Sequence, residues 1–345
     1  MLNATGNAIV AKAKAMFGQR LKEKDYHDLI KMKSIGEVVA YLKTHPSYQS
    51  TFENVSEQTI HRHQLEHLIK ENTYQDVLKL IKFVYLKDAS FYELYILKMS
   101  SDLILETIRM IISPEDDSVI SKVPLYFLTH APFDIKKLAE SKTMSELLEV
   151  LKKTVYYRIL KPFALVDNQN IPYVEIENVL DLFYYDSAFD RIDANYKGRL
   201  RQDLRNIFLT RIELSNIIKI YRLKRFYRAS PDVIRENLIK QYSRISEHQM
   251  NELIELEDPD AVLKYLEKSS LSRFTDHSEY VYVEYYADRI RYNLSKRYMY
   301  YSTAVPKVYI SFLFLKEIEV ENLTNIIEGI RYQLQPTEIQ PMLIY

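Results

Sequence analysis

The sequence predicts an all-α protein that is built from three copies of one helical unit. The first observation is an internal repeat, in which Tyr26–Tyr48, Ile135–Tyr157 and Met250–Ser272 align without a gap. The second is the apolar spacing inside each copy, which follows the 3.6-residue period of a helix. The third is the scarcity of glycine, with five residues in 345, because tight β-hairpins need glycine at positive φ. A self-similar period of this length indicates repeated supersecondary units.

Each copy carries a helix start signal at the same position, occupied by Ser34, Thr143 and Asp258. These residue types accept a hydrogen bond from a free backbone N–H of the first helical turn. Glu37 and Glu146 follow the first two caps by three residues and complete a predicted capping box. Apolar residues then recur four, five and eight positions after each cap: Val38, Val39, Leu42, Leu147, Leu148, Leu151, Val262, Leu263 and Leu266. We therefore expect two short helices and a link in each copy.

Longer helices are predicted around these repeats. Ala8–Gln19 predicts a first amphipathic helix, and Asn54-x-x-Glu57 predicts the start of a helical stretch that continues towards Ile112. Arg211–Arg222 aligns with Val320–Arg331 and pairs Asn216 with Asn325, while the first copy matches more faintly. The last two units are therefore expected to finish in equivalent long helices.

Two breaks divide the chain into lobes of similar size. Pro114–Ser118 is a polar turn, and Ala229–Asp232 combines a turn with a helix cap. A chain of 345 residues is also too long for one compact core. The sequence therefore predicts three lobes, at residues 1–118, 119–228 and 229–345.

Composition excludes several functional classes. Lys plus Arg and Asp plus Glu both total 47, so the basic excess typical of nucleic-acid binders is missing. Cysteine is absent, which excludes disulfides and cysteine-based zinc sites or catalysis. Five glycines cannot form a Gly-rich phosphate loop, so no standard nucleotide site is predicted. No run of about 18 apolar residues predicts a transmembrane helix, and we expect a cytoplasmic protein without a cofactor.

Two histidine patterns are candidates for metal chemistry. His61-x-His63-x-x-x-His67 places its last two histidines on one face of a helix, as zinc ligands are placed, although a solvated polar face explains the pattern equally simply. His27-Asp28 resembles the central pair of metal-dependent phosphohydrolases. The equivalent pairs in the other two copies are Lys-Lys and Asn-Glu, which favours an exposed face. We expect no metal site and no catalytic residue.

Arginines near the ends of the long helices are the predicted partner-binding residues. Arg109, Arg222 and Arg331 fall at matched positions in the sequence alignment of the three units. Arg222 also begins a basic run that includes Arg225. Arginine favours charged protein interfaces, so we predict that Arg109, Arg222, Arg225 and Arg331 contact a partner. A solvated helix end, where cations oppose the helix dipole, is the alternative interpretation.

Tyrosine is abundant, with 29 residues and no tryptophan. The densest stretch is residues 280–309, which includes Tyr282, Tyr285, Tyr286, Tyr292, Tyr298, Tyr300 and Tyr301. Tyrosine buries a large area and keeps a hydroxyl for water or a partner, which favours interfaces. Packing between helices inside the lobe is the simpler interpretation.

Four segments together resemble the C subunit of prokaryotic V-type (A-type) rotary ATPases, a family related to the eukaryotic d subunit. They are the N-terminal AIVAKAKAMFGQRL, the central IENVLDLFYYDSAF, the segment DLRNIFLTRIELSNIIKIYRLKRF, and the C-terminal LKEIEVENLTNIIEGIRYQLQPTEIQPMLI. The likeness covers nearly the whole chain. It rests on packing patterns and on their order.

The resemblance implies a fold and a function. Members of that family are all-α bodies of three similar lobes, arranged as a pseudo-threefold funnel with a central cavity. The cavity receives the foot of the central shaft, formed by the D and F subunits, and the funnel sits on the cytoplasmic face of the membrane proteolipid ring. The family is not catalytic, and it transmits torque for ATP-driven proton or sodium transport.

Two other classes of function remain open at this point. One is a helical-repeat scaffold that binds protein partners outside any membrane complex. The other is a helical hydrolase that uses His27 and Asp28 or the His61–His67 cluster.

Overall fold

The structure is a computed structural model, and it describes residues 2–81, 89–113, 127, 131–269 and 283–345. Within these ranges every regular element is a helix, which confirms the predicted all-α class. The predicted break at residues 114–118 and the tyrosines at 280 and 282 lie outside the described residues. In the same ranges, no helix combines the length and the apolar character needed to cross a membrane.

The helices before residue 113 are α1 (Leu2–Gly18), α2 (Glu23–Leu29), α3 (Ile35–Thr44), α4 (Gln49–Phe52), α5 (Arg62–Ile81), α6 (Ala89–Tyr92) and α7 (Leu94–Ile112). The middle of the chain forms α8 (Ile135–Glu140), α9 (Met144–Leu151), α10 (Val155–Leu160), α11 (Tyr173–Asn195) and α12 (Gly198–Tyr227). The last part forms α13 (Pro231–Glu236), α14 (Glu247–Glu255), α15 (Pro259–Lys268), α16 (Val283–Tyr301), α17 (Val305–Arg331) and α18 (Pro336–Ile339).

The three sequence repeats form three short helical hairpins. Hairpin 1 is α2–α3, hairpin 2 is α8–α9, and hairpin 3 is α14–α15. The predicted caps are confirmed: Ser34 Oγ accepts from the Glu37 N–H at 3.2 Å, and Thr143 Oγ1 accepts from the Glu146 N–H at 3.2 Å. Asp258 Oδ1 accepts from the Asp260 N–H at 2.9 Å. Local chemistry thus determines where the second helix of each hairpin begins.

The two capping-box glutamates accept from the backbone N–H of the residue before the cap, not from that of the cap itself. Glu37 Oε2 accepts from the Lys33 N–H, and Glu146 Oε2 accepts from the Lys142 N–H, both at 2.8 Å. The prediction placed each glutamate on the N–H of the cap itself. The observed bonds hold the link between the two helices, which explains why both copies keep the glutamate.

The predicted helix start at Asn54 is wrong, because α5 begins at Arg62. Residues 53–61 instead run across the start of α3, where a Cβ on Gly36 would lie 2.6 Å from the Glu57 carbonyl oxygen. Lys43 Nζ also donates to Glu57 at 3.1 Å. This tertiary packing holds the segment outside the helix, and it requires glycine at position 36.

Three long helices, α7, α12 and α17, run in the same direction. Their first turns lie close together: Tyr309 OH of α17 donates to the carbonyl of Tyr92, next to α7, at 2.8 Å. Lys307 of α17 pairs with Asp203 of α12 at 2.7 Å. Helix α5 runs antiparallel to α17. Asp76, near the end of α5, lies 3.2 Å from Lys316, and Arg62, at the start of α5, lies 2.7 Å from Glu328, near the end of α17.

The second halves of these helices separate, and each packs on a different hairpin. Helix α7 shares an apolar cluster with hairpin 2, through Ile104 and Leu147 among others. Helix α12 packs on hairpin 3, as Ile217 and Leu253 show. Helix α17 packs on hairpin 1 through Leu323 and further side chains. The first halves share one central cluster. The lobe boundaries at 118 and 228 and the funnel outline stay predictions.

Candidate functional site

Two buried asparagines establish how α12 and α17 correspond. The side chain of Asn216 donates to the Ile239 carbonyl at 2.8 Å and accepts from the Ile239 N–H at 3.0 Å. Asn322 makes the same pair of bonds to Ile344, at 2.7 and 2.9 Å. Position 216 therefore corresponds to 322. The sequence alignment, which paired Asn216 with Asn325, was displaced by three residues, almost one helical turn.

The same correspondence relates two buried carboxylates. Glu213 accepts from the backbone N–H of Arg244 at 2.8 Å, just before hairpin 3. Glu319 accepts from the backbone N–H of Leu21 at 3.1 Å, just before hairpin 1. Helices α12 and α17 thus each use a buried glutamate to fix the chain that enters the hairpin packed on them.

At the 109-residue offset that relates hairpins 1 and 2, helix α7 shares buried polar positions with α12, but Ile104 replaces the glutamate, and Thr107 donates to Leu103 of its own helix. Its buried polar residues Ser101 and Thr107 then correspond to Thr210 and Asn216 of α12. At these offsets three charged residues of α7, α12 and α17 fall at matched sequence positions: Asp102, Arg211 and Glu317. These side chains line a single cavity.

The cavity has a volume of about 700 Å³ and lies between α5, α7 and α17, with Arg211 contributed by α12. Its walls carry equal numbers of basic and acidic side chains: Arg62, Lys70, Lys98, Arg109 and Arg211 against Glu66, Asp102, Glu106, Glu317 and Glu321. Many of them pair, which limits the cost of placing charges in a recess. The balance makes this surface suited to a partner that carries both signs of charge.

Ion pairs set the charge state of the cavity walls. Burial alone would lower the pKa of Arg211, but Glu317, at 3.0 Å, and two neighbouring tyrosines raise it, so the guanidinium stays charged. Burial also opposes the charged form of Lys98, and Asp102 at 2.8 Å with Asp181 at 3.6 Å raises its pKa overall. These pairs therefore hold two cations inside the recess.

Glu321 is the exception among the wall carboxylates. Its side chain is 51% exposed and lies 3.7 Å from the Arg291 guanidinium. Withdrawal from bulk water behind the walls, together with Asp288 and Glu317, outweighs Arg291 and raises the pKa of Glu321 to about 7. A partner that brings a cation to this carboxylate would favour its charged form.

A buried ion network lies beside the cavity and was not predicted from the sequence. Lys316 Nζ is 2.8 Å from Glu319 and 3.2 Å from Asp76. The Tyr48 hydroxyl donates to Glu319 at 2.8 Å. This network joins α17, α5 and the end of hairpin 1. Nothing in the local sequence indicates this network, because its members come from distant parts of the chain.

The structure separates the four predicted partner-binding arginines. Arg109 lines the cavity, where it pairs with Glu106 at 2.8 Å and donates to the Tyr173 hydroxyl at 3.1 Å. Arg222 lies 3.6 Å from Glu284, and Arg225 is exposed in the last turn of α12.

Arg331, the last residue of α17, lies over the Tyr332 ring. The correspondence between α12 and α17 pairs Arg331 with Arg225, not with Arg222. Because α7, α12 and α17 run in the same direction, all four arginines lie in the halves that diverge.

The histidine candidates have ordinary surroundings. His27 Nε2 lies 3.3 Å from the Tyr345 hydroxyl, while Asp28 faces Lys31 at 3.7 Å. His63 and His67 of α5 line a second, smaller recess of about 330 Å³. In the part of the chain that the structure describes, no three His, Cys, Asp or Glu side chains are grouped to hold a metal.

Comparison with known proteins identifies one family. The family model described as ATP synthase (C/AC39) subunit matches residues 9–342. The C subunit of the A-type ATP synthase of Methanosphaera stadtmanae is 26% identical over 97% of this chain and 86% of its own length.

Two further relatives carry the same description. The A-type ATP synthase C subunit of Archaeoglobus fulgidus is 23% identical over 97% of this chain and 95% of its own length. The corresponding protein of Methanosarcina mazei is 32% identical over a shorter region, which covers 31% of this chain and 28% of that relative.

Proposed function

Because this chain belongs to the ATP synthase (C/AC39) subunit family, we propose that it is the non-catalytic central-stalk subunit of an A-type (V-type) rotary ATPase. In this role it is a socket between the central shaft, formed by the D and F subunits, and the membrane proteolipid ring. It lies on the cytoplasmic face of the membrane and transmits torque for proton or sodium transport. The charged cavity, to which three long helices contribute residues at matched sequence positions, is the observation that supports the proposal most directly.

The cavity suits a partner that must not slip. The cavity walls carry charges of both signs on three different helices, so a partner with complementary charges has a preferred angular position. A recess with both signs of charge also rejects partners that cannot pair each group. The socket thus combines a defined orientation with specificity.

The energy of ion transport requires that the load be shared. Moving one charge against 100 mV requires about 2.3 kcal/mol, so several ions per ATP approach the roughly 5–15 kcal/mol stability of a whole domain. One small contact carrying that load would unfold or slip. Three helices, each braced by its own hairpin, distribute the load over three cores.

Site-directed cross-linking tests the socket. The chain has no cysteine, so one introduced thiol is unique. Glu106→Cys places it on the cavity wall, and Lys153→Cys places it on the exposed end of hairpin 2. In the assembled ATPase, we expect a bifunctional reagent to join the first variant, but not the second, to one of the two shaft proteins.

A pull-down from detergent-solubilised membranes tests the assembly as a whole. The proposed function requires both shaft subunits and proteolipid ring among the proteins recovered with this chain. Recovery of other partners without these subunits would favour a helical-repeat scaffold and refute the rotor role. Loss of the cross-link alone would refute only the position of the shaft in the cavity.

A further inference from the structure

One end of the molecule concentrates exposed basic and tyrosine side chains, although the whole chain has no net charge. At this end α11 connects to α12, and α16 connects to α17. We name it the basic end and define it by five exposed residues: Lys197, Arg199, Arg297, Tyr300 and Tyr301. It is opposite to the end where α7, α12 and α17 diverge.

Contacts among three helices bring these residues together. Lys307 of α17 pairs with Asp203 of α12 at 2.7 Å and lies 4.6 Å over the Tyr298 ring of α16. Arg199 precedes Asp203 by four residues, and Tyr301 follows Tyr298 by three. Both therefore lie about one helical turn, roughly 5 Å, beyond this contact and on the same side of it.

Helix α1 extends the same surface. Lys14 Nζ donates to the Tyr300 carbonyl at 3.4 Å, and the Phe17 and Tyr300 rings are 5.7 Å apart. Residues 1–22 contain four basic side chains and no acidic one. The N-terminal helix thus adds positive charge beside the tyrosines.

Among the described residues, the two helix connections that define the basic end carry no acidic side chain, although the exposed Glu93 lies at the start of α7, at the same end of the molecule. Residues 196–202 and 289–316 contain no Asp or Glu. Two neighbouring carboxylates are already engaged, Asp193 by Arg205 and Asp203 by Lys307. In an electroneutral chain, this separation of charge gives one end a positive potential.

We propose that the basic end binds the surface of an anionic phospholipid bilayer. Lysine and arginine side chains near such a surface are attracted to its negative potential. Tyrosine is the side chain, with tryptophan, that concentrates at the level of lipid headgroups, because its ring is apolar and its hydroxyl is polar. Tyr301 is 84% exposed and Tyr300 54%, far more than packing inside a lobe requires.

This lipid contact goes beyond the proposed rotor function. A socket needs protein contacts with a shaft and a ring, whereas the basic end offers a direct contact with the membrane around or within that ring. Binding of the chain to lipid vesicles that contain no other protein tests this contact. If the chain does not bind them, the lipid contact is refuted, and the recovery of shaft and ring subunits still tests the rotor function separately.

Vesicle cosedimentation of the full chain is the experiment. We expect binding to phosphatidylcholine vesicles that contain phosphatidylserine, weak binding to phosphatidylcholine alone, and a loss of binding as salt screens the charges. The triple variant K197E/R199E/R297E should bind anionic vesicles at least roughly 100-fold more weakly, because each lost cation reduces affinity roughly fivefold. Tyr301→Ser should weaken binding further at high salt.

A matched charge reversal on hairpin 2 and its flank is the control. K136E/K137E/K153E changes the net charge equally, through three exposed lysines away from the basic end, and should retain vesicle binding. Circular dichroism confirms that both variants keep their helices. Equal binding to neutral and anionic vesicles, or equal loss in the two variants, would overturn the proposal. A third outcome would also overturn it: the native chain does not bind vesicles, and the basic-end variant fails to recover ring subunits in the pull-down. That outcome would identify an acidic protein surface as the partner.

Discussion

Lys316 is a buried cation whose two ion pairs tie the last long helix to the N-terminal part of the chain. Its side chain is 7% exposed and lies between Glu319 and Asp76. Burial alone would lower the pKa of Lys316, but the two carboxylates raise it. The lysine therefore stays charged, and its removal would leave two carboxylates without their cation.

Lys316→Met should lower the free energy of unfolding by about 3–5 kcal/mol, because two buried carboxylates lose their compensation. Lys79→Met is the matched control, since Lys79 also pairs with Asp76 at 3.0 Å but is 45% exposed. The control should change stability by less than about 1 kcal/mol. Urea unfolding of both variants measures the difference, and equal effects would show that burial of the ion pair is unimportant.

Glu319 should make the fold sensitive to acid. Burial would raise the pKa of Glu319, but Lys316, the Tyr48 hydroxyl and the Leu21 N–H hold it below its ordinary value of 4.5. A carboxyl with a depressed folded-state pKa stabilises the protein above the unfolded pKa, and that contribution is lost as pH falls through the folded value. Stability measured between pH 6 and pH 3 should therefore decline more steeply below about 4.5 in the native chain than in Glu319→Gln. Parallel curves would contradict this role.

The sequence could not reveal this network. Lys316 follows a run of large apolar residues, and nothing local indicates a buried lysine there. Its partners Asp76 and Tyr48 are more than 200 residues away along the chain, so only the tertiary fold brings the charges together. The caps at Ser34 and Thr143, in contrast, depend on residues within one turn and were predicted correctly.

At the level of elements, the buried side chains of Asn216 and Asn322 hold the segments that follow α12 and α17. Each buried side chain satisfies both backbone groups of one isoleucine, Ile239 or Ile344. Asn325, which the sequence alignment selected, makes one bond, to the Met342 carbonyl at 3.0 Å. We therefore expect that replacing Asn322 destabilises the protein more than replacing Asn325, although both lie on α17.

Asn216→Ala and Asn322→Ala should each lower the free energy of unfolding by about 2–5 kcal/mol, because two buried backbone groups lose their partners. Asn325→Ala should cost about 1 kcal/mol, as expected for one partly buried hydrogen bond. Thermal or urea unfolding of the three variants separates the two registers. If Asn325→Ala lowers the free energy of unfolding as much as Asn216→Ala does, then Asn325, not Asn322, is the equivalent of Asn216.

The alignment failed because apolar periodicity cannot distinguish registers that differ by nearly one turn. Positions 214 and 217 are apolar, and so are their counterparts at either offset. Only the side-chain bonds of Asn216 and Asn322 resolve the ambiguity. The same limit explains why the sequence matched Arg331 with Arg222 and overlooked Arg225 as its equivalent.

At the scale of the whole molecule, the hairpins and long helices form a closed series. Hairpins 2 and 3 pack on the long helices that precede them in the chain, α7 and α12. Hairpin 1 follows α1 in the chain, but it packs on α17, which comes from the opposite end of the chain. The first and last parts of the sequence thus form one core, and this contact closes the chain back on itself.

This closure predicts where a distant substitution acts. Ile339→Ala empties a site in the core that α17 shares with hairpin 1, and a cavity of this kind costs about 2–5 kcal/mol. Hydrogen exchange should therefore accelerate in residues 26–52, nearly 300 positions away in sequence, and stay unchanged in hairpins 2 and 3.

Ile234→Ala is the matched control, because Ile234 occupies the corresponding place in the core of hairpin 3. It should accelerate exchange in residues 250–266 and leave hairpin 1 protected. If Ile339→Ala affects only residues 283–345, then hairpin 1 is stable without α17, and three lobes that follow one another in sequence would describe the molecule better than a closed ring.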